Sequence, residues 1–464
     1  MRVAVALLSC AAAAAAAGIE EYLRAEMELN RIPGLAVAVV REDAVVALAA
    51  YGVRDLAGGE PMMAGTLVEL ASVSKSFTGL AVAELSRSGA LQLDEPVTRY
   101  LPEFQIGGGP RPAHIRVQDL LRHTSGLSRH DDFLVPCCGR PGEGDLGLAV
   151  RRLRRARLRR EPGAGFAYAH SNYVLLAALV ERVSGEPFPA YMRKHVFGPL
   201  GMNRTTLDES EARAWGKAEA HEMRWGRMRP GGSRFSGWYG ASQVKSTAGD
   251  MARYVQALLG PWGDVWREAL RAGTRYHWGW FVEPEAGWLG GEPAVEHGGD
   301  IWGGNAAVAL APQAGVGVVV LLNAGVGRAQ PIARGVLLRV LGREAPAAAR
   351  QSWSGQTDNW AMVLAGASLM ILVGVGVFVK RLLTELRRGE RRLGWDAGAW
   401  EKARVVGLLL MAVYLAGLLA SDAMPPLPAL PASLRVALPL LAVSVALLLA
   451  AVALGGWRQT RGRR

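Results

Sequence analysis

A serine and a lysine three residues apart, Ser72 and Lys75 in the run ELASVSKSFTGLAVAEL, are the side chains of this sequence best placed to do chemistry. Positions i and i+3 share one face of a helix, so the Lys75 amine can reach the Ser72 oxygen. A serine alcohol attacks poorly until a neighbouring base takes its proton. A lysine serves as that base when burial or a nearby cation lowers its proton affinity. The element that must hold the pair is a helix: Phe77, Leu80, Ala81 and Leu85 recur at helical spacing after the tetrad. That pattern predicts a helix opening near Ser72, where unpaired amides favour developing negative charge. Taken alone, S-x-x-K is a weak signal that long chains contain by chance.

The rest of the chain sets the context. At 464 residues, half of them apolar, it exceeds what one core encloses, which predicts one large domain and something besides. No charged residue occurs between Asp358 and Lys380, between Arg404 and Asp422, or between Arg435 and Arg458. About 20 residues span a bilayer, so these runs predict three transmembrane helices, near 360–379, 405–421 and 436–456. The formal net charge of +12 would ordinarily raise nucleic acid as a partner. Most of that excess lies from Lys380 onward, flanking the apolar runs, so it points to a lipid bilayer and not to nucleic acid. By the positive-inside rule the basic loop after Lys380 and the tail WRQTRGRR read as cytoplasmic. The expected location is therefore the cell membrane, multi-pass, with the large domain extracytoplasmic; a membrane-protein partner is not identified. Met1-Arg2 followed by VAVALLSCAAAAAAAG reads as a signal peptide over 1–17, with an uncleaved anchor as the first alternative and lipidation at Cys10 as a further one. Cys137 and Cys138 are adjacent and complete the set of three cysteines, which provides neither a disulfide framework nor a Cys-x-x-Cys metal pair.

Between the signal segment and the membrane runs, the large domain is expected over 18–350, with 351–358 as a linker and 359–464 as the membrane part. PGLAVAVV and AVVALAAYGV, separated by Arg41-Glu42-Asp43, read as a hairpin, and AAVALAPQAGVGVVVLLN repeats the pattern around a turn from Pro312 to Gly315. Helical patterns fill the middle. The predicted fold class is an α/β (α+β) sandwich whose mostly antiparallel sheet is formed by both ends of the domain, with a helical subdomain between. The run RRLRRARLRR (151–160) reads as a solvated face or as a surface for anionic groups, and not as catalytic.

Two further stations turn the weak tetrad into a pattern: FAYAHSNY (166–173) after Glu161-Pro162-Gly163, and His297-Gly298-Gly299 ahead of the last strand pair. With these, the chain resembles the serine β-lactamase and penicillin-binding protein superfamily, in the branch of class C β-lactamases, D-alanyl-D-alanine carboxypeptidases and esterases. PGLAVAVV, ASVSKSFTG, LLRHTSGL, EPGAGFAYAHSNYVLLA, FGPLGM, STAGDMARYVQALL and HGG stand in the order that family shows. The resemblance implies that Ser72 is the acylated nucleophile and Lys75 its proton partner. It implies further that Tyr168 shuttles the proton to the leaving group and that His297 orients substrate or the tyrosine. Gly298 and Gly299 would let substrate backbone lie along the strand, and the amides of Ser72 and Asp300 would form the oxyanion hole. Where the family carries the asparagine of Tyr-x-Asn, this chain has His170, a substrate-contact position whose imidazole ordinarily titrates near neutral pH. That exchange weakens a penicillin-like reading more than an ester one. Gly240-Ala241-Ser242-Gln243-Val244 also lacks the paired glycines expected before STAGDMARY. His123 and Ser125 of LLRHTSGL read as structural, closing a helix through side-chain hydrogen bonds.

Other chemistries lack their motifs. There is no Gly-x-Ser-x-Gly elbow, no second histidine after His221-Glu222 to make H-E-x-x-H, no G-x-G-x-x-G and no Walker loop. The expected function is a membrane-tethered extracytoplasmic serine hydrolase that forms an acyl-enzyme on D-amino-acid peptides, β-lactams or esters, from small molecules to peptidoglycan-type substrates. It needs neither cofactor nor metal. The alternative is a catalytically impaired penicillin-recognising binding or sensor module.

Overall fold

Alternation along the apolar strands decides the architecture. The structure is a computed structural model that describes residues 17–388, apart from 105, 107–113, 137–143, 225–226, 232–237, 302 and 350–351, together with residue 444. Seven strands form one sheet: β1 (Gly34–Arg41), β2 (Ala44–Gly52), β3 (Tyr276–His277), β4 (Trp280–Glu283), β5 (Ala294–Ile301), β6 (Gly304–Ala311) and β7 (Val316–Leu322). They run in the spatial order β2-β1-β7-β6-β5-β4-β3, and every pairing is antiparallel. Leu35, Val37 and Val39 of β1 enter one core while Ala36, Ala38 and Val40 enter the other. Side chains alternate across a strand, so a sheet covered on both faces needs apolar residues at every position, which is why these strands read as unbroken apolar runs.

One face is covered by a helix over residues 17–30 (α1) and by α5 (Ala329–Val340). The other is covered by α4 (Ala248–Leu259) and by a helical part that includes α2 (Ser74–Arg87) and α3 (His170–Ser184). The chain turns from β1 to β2 with Glu42 at φ +56° and from β6 to β7 with Gly315 at φ +61°. β1 and β7 are neighbours, with Leu35 opposite Leu322, so the two ends of the domain meet in mid-sheet.

The chain divides into two units: one runs to Gln351 without Met223–Arg227, and the other combines that short segment with Ser352–Arg464. The described part of the second unit is dominated by one helix, α6 (Ser352–Arg387), so the expected linker is helical from Ser352 onward. Among the described residues no helix is long and apolar enough to cross a membrane. This overturns the expectation of three transmembrane helices and, with it, the multi-pass membrane location. Of the three runs, the one between Asp358 and Lys380 falls within α6. The runs near 405–421 and 436–456 lie outside the described residues, as do 1–16 of the expected signal peptide and all three cysteines.

Candidate active site

Ser72 lies in a 3-10 turn, Ala71–Val73, immediately ahead of α2 and not within it. Ala71 has φ +48°, a left-handed conformation that costs a residue with a Cβ about 1–2 kcal/mol and is held only where the surroundings enforce it. Two glycines provide the enforcement. A Cβ on Gly299 of β5 would stand 2.2 Å from the Leu70 carbonyl oxygen and 3.0 Å from the Ser72 nitrogen, so β5 lies directly against the turn. Gly279, at φ +83° between β3 and β4, approaches the Lys75 backbone so closely that a Cβ would meet its carbonyl carbon at 2.5 Å. The turn thereby leaves Ser72 half-buried and Lys75 fully buried.

Lys75 Nζ lies 3.1 Å from Ser72 Oγ, 3.0 Å from His170 Nδ1 and 2.8 Å from the Ala241 carbonyl oxygen. An ammonium has one proton for each of these. A neutral amine has two, and when the carbonyl and the imidazole accept them its lone pair is left for the Ser72 hydroxyl. In both of these arrangements His170 Nδ1 accepts and the imidazole proton sits on Nε2. Burial holds Lys75 well below the ordinary lysine range; the Asp132 carboxylate opposes that shift and the Arg129 guanidinium adds to it. A buried amine kept from firm protonation is what serine activation requires.

His170 is the first residue of α3, and its ring stacks on Trp238 with centroids 4.6 Å apart and planes 22° from parallel. Burial, reinforced by Lys75, pushes its pKa well below the usual histidine value. The expectation that it titrates near neutrality is therefore corrected: enclosed by an indole and an amine, the imidazole stays neutral.

Tyr168 is half-buried, with its ring 5.0 Å from Lys75 Nζ. Burial raises its phenol above the ordinary value, and a hydrogen bond with Ser72 opposes the rise. His297, buried on β5, donates from Nδ1 to the Gly298 carbonyl at 2.6 Å and accepts at Nε2 from the Tyr276 hydroxyl at 3.0 Å. Burial pushes His297 down to about 3. Its ring centroid is 6.4 Å from that of Tyr168, and its bonds go to Tyr276 and Gly298 and not to the tyrosine expected from sequence. Gly298 faces Gln330, whose Oε1 a Cβ would meet at 2.7 Å, and Asp300 is exposed on the same strand, opposite Asn305.

His123 accepts the Ala169 backbone N–H at 3.3 Å and Asn172 Nδ2 at 2.9 Å, and Ser125 Oγ donates to Asn172 Oδ1 at 2.6 Å. These bonds secure the segment that presents Tyr168 and His170. Sequence reasoning missed the Ala241 carbonyl, Trp238, Tyr276 and Asp132. Each reaches the site from a loop, a strand or, for Asp132, a short 3-10 helix (Asp131–Leu134) with no motif of its own, and only the odd composition of 240–244 hinted at one of them.

A separate cluster could in principle hold a cation: Asp55, Glu219 and His221 place their ligand atoms within 4.8 Å of one another. Its imidazole is already engaged, with Nδ1 on the Asn323 carbonyl at 3.1 Å and Nε2 receiving the Leu56 N–H at 3.3 Å. The Asp55 oxygens take the N–H groups of Ala57 and Gly58, so the cluster acts as a turn brace.

Similarity to known proteins agrees with this geometry. The Beta-lactamase family model matches residues 19–341. Protein flp of Staphylococcus aureus (strain MW2) is 25% identical over 313 residues, which are 66% of this chain and only 62% of that protein's length. Esterase EstB of Burkholderia gladioli is 36% identical over 202 residues, 41% of this chain and 51% of the esterase. Among solved structures, the octameric penicillin-binding protein homologue of Pyrococcus abyssi superposes with a TM-score of 0.62 at 26% identity, covering 71% of this chain and 78% of that one. EstCE1, described as a hydrolase with promiscuous acyltransferase activity, gives 0.61 at 25% identity over 71% and 99% of the two chains. With a match over most of its length and a serine–lysine pair set against the sheet, the chain belongs to the beta-lactamase family of serine hydrolases.

Proposed function

We propose that this chain hydrolyses carboxylic esters through an acyl-enzyme on Ser72, with D-amino-acid peptides and β-lactams as poorer substrates. The observation that carries the reading is the 3.1 Å contact between Ser72 Oγ and the buried Lys75 amine. Ser72 attacks the carbonyl carbon as its proton passes to Lys75. The backbone N–H groups of Ser72 and Asp300 hold the oxyanion; contact of β5 with the Leu70–Ser72 turn supports that pairing. Tyr168, bonded to Ser72, then delivers the proton to the departing alkoxide. Water attacks the acyl carbon, its proton returns along the same route, and Ser72 is released with its hydroxyl restored. Gly298 and Gly299 line the strand beside which the substrate lies, and His297 forms a neutral wall there.

The preference for esters rests on His170. In its place the family pattern has an amide that contacts an acylamino side chain; here the imidazole is turned to Lys75 and covered by Trp238. The similarity to Esterase EstB supports the same choice. The test compares p-nitrophenyl butyrate, nitrocefin and a D-alanyl-D-alanine peptide on the full chain. Ester turnover that exceeds the other two and disappears in Ser72→Ala is the expected result. Stoichiometric labelling of Ser72 without turnover would instead favour a sensor.

A further inference from the structure

The helix that carries His170 begins without a cap of its own, because Ala169 at its N-cap has no polar side chain. Its cap comes from 39 residues earlier in the chain: Asp132 Oδ1 accepts the Ser171 backbone N–H at 2.7 Å and also bonds the Ser171 hydroxyl. The His170 backbone N–H donates to the same carboxyl. Asp132 is 2% exposed, and its other oxygen, Oδ2, is buried without a partner among the described residues. An uncompensated buried oxygen is costly and needs a reason. The cap alone provides none, since asparagine or serine would make it without burying a charge.

The charge has a target. Among the groups that act on Lys75, Asp132 is the acid, and it opposes the effects of burial and of Arg129. The titratable groups facing this corner are Lys75 on α2, His170 on α3, His297 on β5, and His123, Arg129 and Tyr168 from the loops; all but the Tyr168 phenol are cationic when charged. We propose that Asp132 is a positioning residue of the acyl-transfer site: its capping bonds aim His170 Nδ1 at Lys75, and its negative charge sets how strongly the Lys75 amine holds the serine proton. This inference rests on the proposed role of Lys75 and deepens it. Burial lifts the Asp132 carboxyl to about 6, and the capping bonds and Lys75 pull it back, so the charge is lost as the solution is acidified.

The experiment measures the rate at which a fluorophosphonate labels Ser72 from pH 4 to pH 10 in the full chain, with folding checked by circular dichroism. Asp132→Asn keeps an acceptor for the helix and removes the charge; its acid limb should move to lower pH by roughly half a unit or more. Ser171→Ala removes one capping bond and keeps the charge. It should lower the labelling rate by about threefold to tenfold without moving the limb. An Asp132→Asn limb that coincides with the parent's, or a limb that moves equally in Ser171→Ala, overturns the proposal. If the parent itself is not labelled, the serine-hydrolase reading fails, and the proposal is then judged on the 15N resonance of Lys75 Nζ, whose titration must still shift in Asp132→Asn.

Discussion

On the helical side of the site Lys75 and His170 are bonded to each other and, through the amine, to Ser72, whereas on the sheet side His297 is bonded to Tyr276 and to the carbonyl of its own neighbour. Both histidines are neutral for the same reason, burial beside Lys75, yet they are wired to different partners. A neutral imidazole that touches the base can influence proton transfer, while one locked to a tyrosine and a backbone carbonyl supplies shape. In the proposed mechanism the helical side handles protons and the sheet side holds the acyl group. The position of each histidine in the hydrogen-bond network separates the two roles, and residue type does not.

Substitutions can break this division. Ser72→Ala and Lys75→Met strike the helical side directly and should each lower ester turnover by about 10³-fold or more, read as kcat/KM on p-nitrophenyl butyrate. Gly299→Ala strikes the junction. Its Cβ meets the Leu70 carbonyl at 2.2 Å, backbone against backbone, so the strand and the nucleophile turn must part. We expect a loss of stability of about 1–3 kcal/mol in urea denaturation together with slower Ser72 labelling. His170→Asn should lower kcat by about tenfold and raise nitrocefin turnover relative to the ester, whereas Tyr276→Phe should leave the pH profile in place. Tyr276→Phe should instead cost about 1–3 kcal/mol of stability, because His297 Nε2 loses its donor. If Tyr276→Phe moved the pH profile as much as His170→Asn does, the two sides would not be distinct.

The smallest effect, shared by both sides, is on stability against pH. His123, His170 and His297 all have folded values below the histidine reference of 6.5. The unfolded chain therefore binds more protons below that point, and stability falls as pH drops from about 6.5 toward about 3. Asp132, raised from 3.8 to about 6, works in the opposite sense over that narrower range, stabilising at low pH and losing its contribution as pH rises through about 6. Three groups outweigh one, so urea midpoints should decline between pH 6.5 and pH 5 by the equivalent of about 1–3 kcal/mol per pH unit.

Legibility in the sequence follows from how each contact is made. The i to i+3 relation of Ser72 and Lys75 is a local fact of helix geometry, and the strand pairs at the two ends announce themselves through apolar runs broken by turn residues. The 3-10 turn and the φ of Ala71 could not be read in advance, because they result from β5 pressing on Leu70. Trp238, Tyr276 and Asp132 were invisible for a related reason: a stacking partner, a tyrosine on a two-residue strand and a cap supplied from another segment carry no local signature. The membrane expectation rested on three charge-free apolar runs, of which two lie outside the described residues, and no described helix is long and apolar enough to cross a membrane.

The pairing of β1 with β7 has a consequence for synthesis. Because β1 lies between β2 and β7, with Leu35 opposite Tyr51 on one side and Leu322 on the other, the sheet cannot close around its first strand until nearly the whole domain has left the ribosome. Ser72 and Lys75 emerge early, but the strand that braces their turn is translated some 200 residues later. A nascent chain halted before Ala294 would carry Ser72 and Lys75 without the strand that braces their turn. The order of translation thus leaves the serine–lysine pair unbraced until β5 has been made.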